Sequence, residues 1–261
     1  MTFLAQFDVL HAIAGLLVGV LVGMTGVGGG SLMTPLLVLM FGISAQTAVG
    51  TDLLYAATTK MVGTGVHGWR ATVDWKIVRR LAAGSIPAAC AALVALSSFG
   101  RIGKSAEHII LLTLGGMLVL TAIAVFFQRR LIAMALAREP LEPRTAGAST
   151  IVLGAVIGLL VSISSVGAGA IGVTALLMLY PKLPINRIVG TDIAHAVPLA
   201  LVSGFGHWLI GDVNLMLLGN LLVGSIPGVI VGSLISTRAP DGLLRPALAL
   251  VMLASGIKLL T

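Results

Sequence analysis

The sequence predicts an all-α polytopic membrane protein built from two inverted repeats. Each repeat holds about five helical segments, including a broken or re-entrant pair with a glycine-rich tip. Three observations lead there. The 261-residue chain is 57% hydrophobic and only 10% charged, where a soluble domain carries roughly 25% charged residues. Four sequence blocks recur in the same order about 140 residues apart. The positive charge is spread unevenly over the connections between the apolar segments.

In chain order, the apolar segments of the first half are residues 9–25, 31–42, 45–67, 77–99 and 107–127. Those of the second half are 149–165, 170–180, 187–209, 215–236 and 243–260. Runs such as 109–127 and 215–235 lack charge and are long enough to cross a hydrocarbon core about 30 Å thick. The second segment of each half is short: about 12 helical residues rise about 18 Å, near half the bilayer. A glycine cluster separates it from the first. The expected organisation is a first membrane repeat over 1–127, a basic connector over 128–147 carrying Arg129, Arg130, Arg138 and Arg144, and a second membrane repeat over 148–261. Residues 1–8 carry no Lys or Arg, and the first apolar stretch runs into glycines instead of a cleavage site, which reads as an uncleaved N-terminus.

The repeat is specific. Val49-Gly50-Thr51-Asp52 returns as Val189-Gly190-Thr191-Asp192, and Gly84-Ser85-Ile86-Pro87 as Gly224-Ser225-Ile226-Pro227. Val27-Gly28-Gly29-Gly30 matches Val166-Gly167-Ala168-Gly169, and His67 matches His207. In a membrane protein such a duplication usually builds a transporter, with its site where the two copies meet.

Charge orients the copies. If the first two segments of each half enter the membrane and return, twelve of the sixteen Lys and Arg residues fall on one side. Only Arg101, Lys104 and Lys258 fall on the other, with Lys60 inside a span. If the pair is one continuous crossing, the division is nine against six. The positive-inside rule selects the first arrangement. Each half then makes an odd number of crossings, so the second copy is upside down. Both termini are expected in the periplasm and the connector in the cytoplasm.

Composition also excludes functions. Cys90 is the only cysteine, so there is no intrachain disulfide and no cysteine metal site. The net charge of +7 lies in short connections, which reads as membrane orientation and not nucleic-acid binding. No ligand spacing suggests a metal. Neither a nucleophile–base pair nor a metal constellation suggests an enzyme.

The candidate site follows from the breaks. Gly28, Gly29 and Gly30 give the backbone freedom to turn between half-helices. Ser31 or Thr34 can cap the following helix, with Pro35 in its first turn. A helix that starts at mid-membrane directs unpaired N–H groups and partial positive charge at its neighbour, a place for an anion. Gly167 and Gly169 offer the symmetric site. The competing account of both clusters is close helix packing through small residues.

Ionisable groups within spans normally face a cavity or one another. Asp52 and Asp192 occupy the matched motifs, and Lys60 lies two turns beyond Asp52. His195 stands where the first half has Tyr55. Lys60 would attract an anion or pair with an aspartate, and an Asp or His would exchange a proton. Thr51, Thr191, Tyr55 and His195 would line the path. His67 and His207, with Trp69 and Trp208 near them, read as interfacial anchors. Pro87 and Pro227 are expected to kink their helices.

At the glycine break 26–30 with Pro35, the Gly50-Thr51-Asp52 motif, and their copies at 167–169 and 190–192, the chain resembles the TauE/SafE family of sulfite and organosulfonate exporters. The resemblance covers nearly the whole chain. It implies a multi-pass carrier in the bacterial inner membrane that moves a small sulfur-containing anion without an ATPase domain. It implies no resident cofactor, leaves coupling to a proton gradient open, and allows a homodimer. A passive anion channel and a permease subunit of a larger complex are the alternatives.

Overall fold

The computed structural model describes residues 8–25, 30–67, 73–99, 104–137, 142–235 and 241–261. Among these, every regular element is helical. The first half holds α1 (Val9–Thr25), α2 (Gly30–Leu39), α3 (Ala45–His67), α4 (Trp75–Phe99) and α5 (Lys104–Phe126). After α6 (Gln128–Leu136), the second half holds α7 (Pro143–Ser164), α8 (Ala170–Leu179), α9 (Ile185–Ile210), α10 (Leu215–Ile235) and α11 (Asp241–Leu260). The ten apolar segments of the sequence thus become ten helices, and among the described residues five helices are long and apolar enough to cross a membrane. The short second members, α2 and α8, are ten residues each, or about 15 Å.

The lipid environment explains the surface. Leu17, Leu120, Val152, Phe205, Leu209 and Leu234 are among many large apolar side chains left exposed. A soluble monomer rarely shows so continuous an apolar surface. Within the protein, Met33, Leu37, Leu114, Leu118, Leu221 and Met252 form the main core, joining helices of both halves.

Helices of one half pack chiefly on helices of the other. α1 lies on α10, α4 on α7, α3 on α9, and α5 on α11. Gly15, Gly19 and Gly23 meet Leu221, Ser225 and Val229 in turn, so α1 and α10 run parallel. Leu81 and Ser85 meet Gly154 and Gly158, so α4 and α7 do the same. In contrast, Gly50 lies against His207 and Asp212, and Gly204 against Leu54. The equivalent helices α3 and α9 therefore cross antiparallel.

The recurring Gly-Ser-Ile-Pro block has a packing reason. A Cβ at Gly84 would stand 1.9 Å from the carbonyl oxygen of Ile151, and one at Gly224 would stand 1.8 Å from that of Ala12. The two helix pairs approach closely only because these positions carry no side chain. Pro87 and Pro227 both lie inside their helices.

The segment 128–147 is more ordered than a plain connector. It contains α6, whose Ala135 is buried with Val173, Leu176 and Ile188 of the second half, and the first residues of α7. The signal missed was a short amphipathic helix. Arg129 and Arg130 are exposed on it, and Arg130 sits over the ring of Phe127.

Candidate anion site between the repeats

The two Gly-Thr-Asp motifs sit one turn into α3 and α9, and each threonine reaches across to the other repeat. The hydroxyl of Thr51 accepts the backbone N–H of Asn214 at 3.1 Å, and that of Thr191 accepts the backbone N–H of Asp74 at 2.9 Å. Asn214 and Asp74 are the cap residues of α10 and α4. The Asn214 side chain accepts the Leu217 N–H, and the Asp74 side chain accepts those of Lys76 and Ile77. An oxygen at this position satisfies amides that the helix leaves open. Thr51 and Thr191, expected along the path, are fully buried and act as matched latches between the halves.

The next residue breaks the match. Asp52 is buried on α3, and its Oδ2 accepts the hydroxyls of Thr34 on α2 and of Ser165 (2.9 Å) at the end of α7. It thereby ties the half-helix of its own repeat to the break of the other. Asp192 is buried on α9; like Asp52 it has an Oδ1 without a hydrogen-bond partner, but among the described residues it accepts no hydroxyl. That oxygen points at Gly172, where a Cβ would come within 2.2 Å. Gly172 is the space that admits the carboxylate.

Tyr55 and His195 face corresponding serines. His195 Nε2 pairs with Ser85 Oγ at 2.8 Å, while its Nδ1 is buried without a partner. Tyr55 approaches Ser225 without a hydrogen bond of normal geometry, so both hydroxyls stay unpaired. Lys60 donates to the carbonyl of Ala168 at 3.5 Å, inside the second break. It interacts electrostatically with Asp52, Asp192 and His195. The four ionisable groups singled out in the sequence form one cluster.

The second break shows how a half-helix is started. Ser165 ends α7 in the left-handed region at φ 58°, and Gly167 and Gly169 follow at φ 122° and 139°. Such angles strain residues with a side chain. α8 then begins at Ala170 with Gly169 as its cap. In the first break, Gly28 and Gly29 lie outside the described residues, while Gly30 opens α2 and Ser31 is buried.

Ser31, Lys60, Ser165, Gly167, Ala168 and Ala170 line one cavity, together with Thr121 of α5 and Ala196 and Ala200 of α9. Its volume is about 20 Å³, on a measure by which one water needs roughly 10–15 Å³. The site has room for about one water molecule. Thr121 was not anticipated, and its buried hydroxyl has no partner. The available signal was a hydroxyl within an otherwise apolar run. Thr34, a helix cap by its sequence position, instead donates to a carboxylate eighteen positions away.

His207 departs from expectation. It is fully buried, not interfacial, between the Ser162 carbonyl (Nε2, 2.8 Å) and Asp212 (Nδ1, 3.3 Å). A carbonyl only accepts, so Nε2 carries a proton. The side chain of His67 and all of Trp69 lie outside the described residues, and Trp208 is exposed. Among the described residues no group of His, Cys, Asp and Glu could hold a metal ion.

Comparison with known proteins places this arrangement. The chain is 42% identical over 250 residues to YjnA of Bacillus subtilis (strain 168), covering 94% of this chain and 97% of that protein. It is 31% identical to YdhB of the same organism, covering 94% and 96%. It is 26% identical to MJ0441 of Methanocaldococcus jannaschii, covering 77% and 72%. All three bear the description probable membrane transporter protein. No solved structure matches. Residues 11–259 match the family described as sulfite exporter TauE/SafE, and the chain is a membrane transporter belonging to that family.

Proposed function

We propose that the protein is a secondary transporter of small anions, sulfite or organosulfonates, working in the bacterial inner membrane in the direction of export. The observation that carries this reading is the cavity. It brings the start of α2 (Ser31), the start of α8 (Ala168, Ala170) and the ammonium of Lys60 to one place. Helix N-termini and a cation are what an oxyanion needs once it has left water.

The mechanism is alternating access. A sulfite ion is larger than this space, so the walls must move apart to admit substrate. Those walls belong to different repeats: Ser31 and Lys60 to the first, Ser165 and Gly167 to the second. The antiparallel crossing of α3 and α9 supports inverted repeats, and the charge division between the connections supports both termini in the periplasm. Rocking one repeat against the other would then open the site to either side in turn.

Flux of sulfite and of methanesulfonate into proteoliposomes tests the reading. Wild-type protein is expected to carry at least one of them. Lys60→Ala is expected to lower that flux by more than tenfold, the range seen when a desolvated charge loses its partner. Equal flux in wild type and Lys60→Ala would remove Lys60 from the site and overturn the assignment.

A further inference from the structure

We propose that Asp192 is the proton-carrying carboxylate of the transport cycle. It neutralises Lys60 while the site is empty and is protonated when the anion takes that role. This rests on the anion reading of the cavity.

Charge balance leads to it. The cluster holds two carboxylates, Asp52 and Asp192, and one ammonium, Lys60, which interacts with both. With both carboxylates ionised it already carries a net negative charge. Adding an anion would leave two uncompensated negative charges inside a membrane, where water does little to screen them. One proton taken up with the anion restores the balance of the empty site.

The hydrogen bonds show which carboxylate takes it. Asp52 accepts two hydroxyls on one oxygen, from Thr34 and Ser165, an arrangement suited to an ionised acceptor. Each carboxylate has a buried Oδ1 without a donor, but among the described residues no hydroxyl donates to Asp192 at either oxygen, and the helix opposite it presents the bare Gly172. The other groups around it are accounted for. On α3, Lys60 acts on Asp192, and Asp52 acts on Lys60. On α9 itself, His195 is paired with Ser85 of α4, and Arg187 lies 3.7 Å from Asp74. The break between α7 and α8 contributes Ser165, which is bound to Asp52. Asp192 and Lys60 are thus the exchangeable pair.

The reaction is a proton transfer alone. Asp192 as carboxylate plus a proton from the open side gives the carboxylic acid, and Lys60 keeps its charge and passes from Asp192 to the substrate anion. Each anion is bound together with one proton.

The test is the affinity of the purified full-length protein for methanesulfonate between about pH 5 and 8. This anion keeps its single charge across the range, which sulfite does not. Wild-type affinity is expected to fall towards tenfold per pH unit at the upper end, as linkage to one proton requires. Asp192→Asn should bind with no pH dependence, Asp192→Glu should restore the dependence, and Asp52→Asn should retain it. Wild-type binding that ignores pH would overturn the proton role and leave the anion site standing. So would a slope that survives in Asp192→Asn, and loss of that slope in His195→Gln would then assign the proton to His195. Absence of binding in wild type and Asp192→Asn at every pH would overturn the anion site itself.

Discussion

Asp52 and Asp192 hold the same position in the repeated motif and each keeps one unpaired oxygen, yet Asp52 is clasped by Thr34 and Ser165 through the other while Asp192 faces the bare Gly172. One residue earlier the copies agree. Thr51 and Thr191 each hold the cap residue of the other repeat's fourth-segment helix. Gly84 and Gly224 likewise permit the same close approach in both copies. The duplication is therefore strict where it builds the frame and relaxed where it builds the site. A frame gains from symmetry because each latch and each close approach recurs. A site that holds a charge and exchanges a proton needs its two halves to differ.

This contrast can be tested at three depths. The largest effect belongs to the shared frame. Gly84→Leu and Gly224→Leu each drive a side chain into a carbonyl and are expected to cost about 3 kcal/mol or more. Both should fail to give monodisperse protein on gel filtration in detergent. Normal behaviour of one alone would show that the two helix pairs are not equivalent.

The next effect separates the aspartates. Asp52→Ala removes the acceptor of two hydroxyls and is expected to lower stability by roughly 2–4 kcal/mol, since hydrogen bonds to a charged group contribute about 1.5–3 each. Asp192→Ala removes no hydroxyl bond and leaves buried Lys60 with Asp52 as its counter-charge, so its unfolding free energy should stay within about 1 kcal/mol of wild type. Equal losses in thermal unfolding would show that the two carboxylates are held alike. The smallest effect is again symmetric. Thr51→Val and Thr191→Val should each cost about 1 kcal/mol, the usual net value of one hydrogen bond. A loss confined to one of them would show that only that latch closes.

Much of the architecture was readable in the order of the residues. All ten apolar segments appear as helices with ends near those expected, because a backbone in lipid must satisfy its hydrogen bonds within the segment. The second glycine break was readable for the same local reason: positive φ at Gly167 and Gly169 is a property of those residues. α6 escaped notice because a nine-residue amphipathic turn leaves little periodicity between two long apolar blocks. His207 was misplaced because nearness to a segment end suggests an interface. The carbonyl of Ser162 that engages it lies 45 positions away.

Membrane residence, the duplication and the buried charges thus follow from composition and order alone, since each depends on what a short stretch of chain can do in lipid. Folding decided what the motifs are for. It turned Thr51 and Thr191 into latches, gave Asp52 two donors, and left Asp192 with Lys60 as its charged partner. Those outcomes depend on helices from opposite halves lying side by side, and spacing along the chain carries no record of which side chains will meet there.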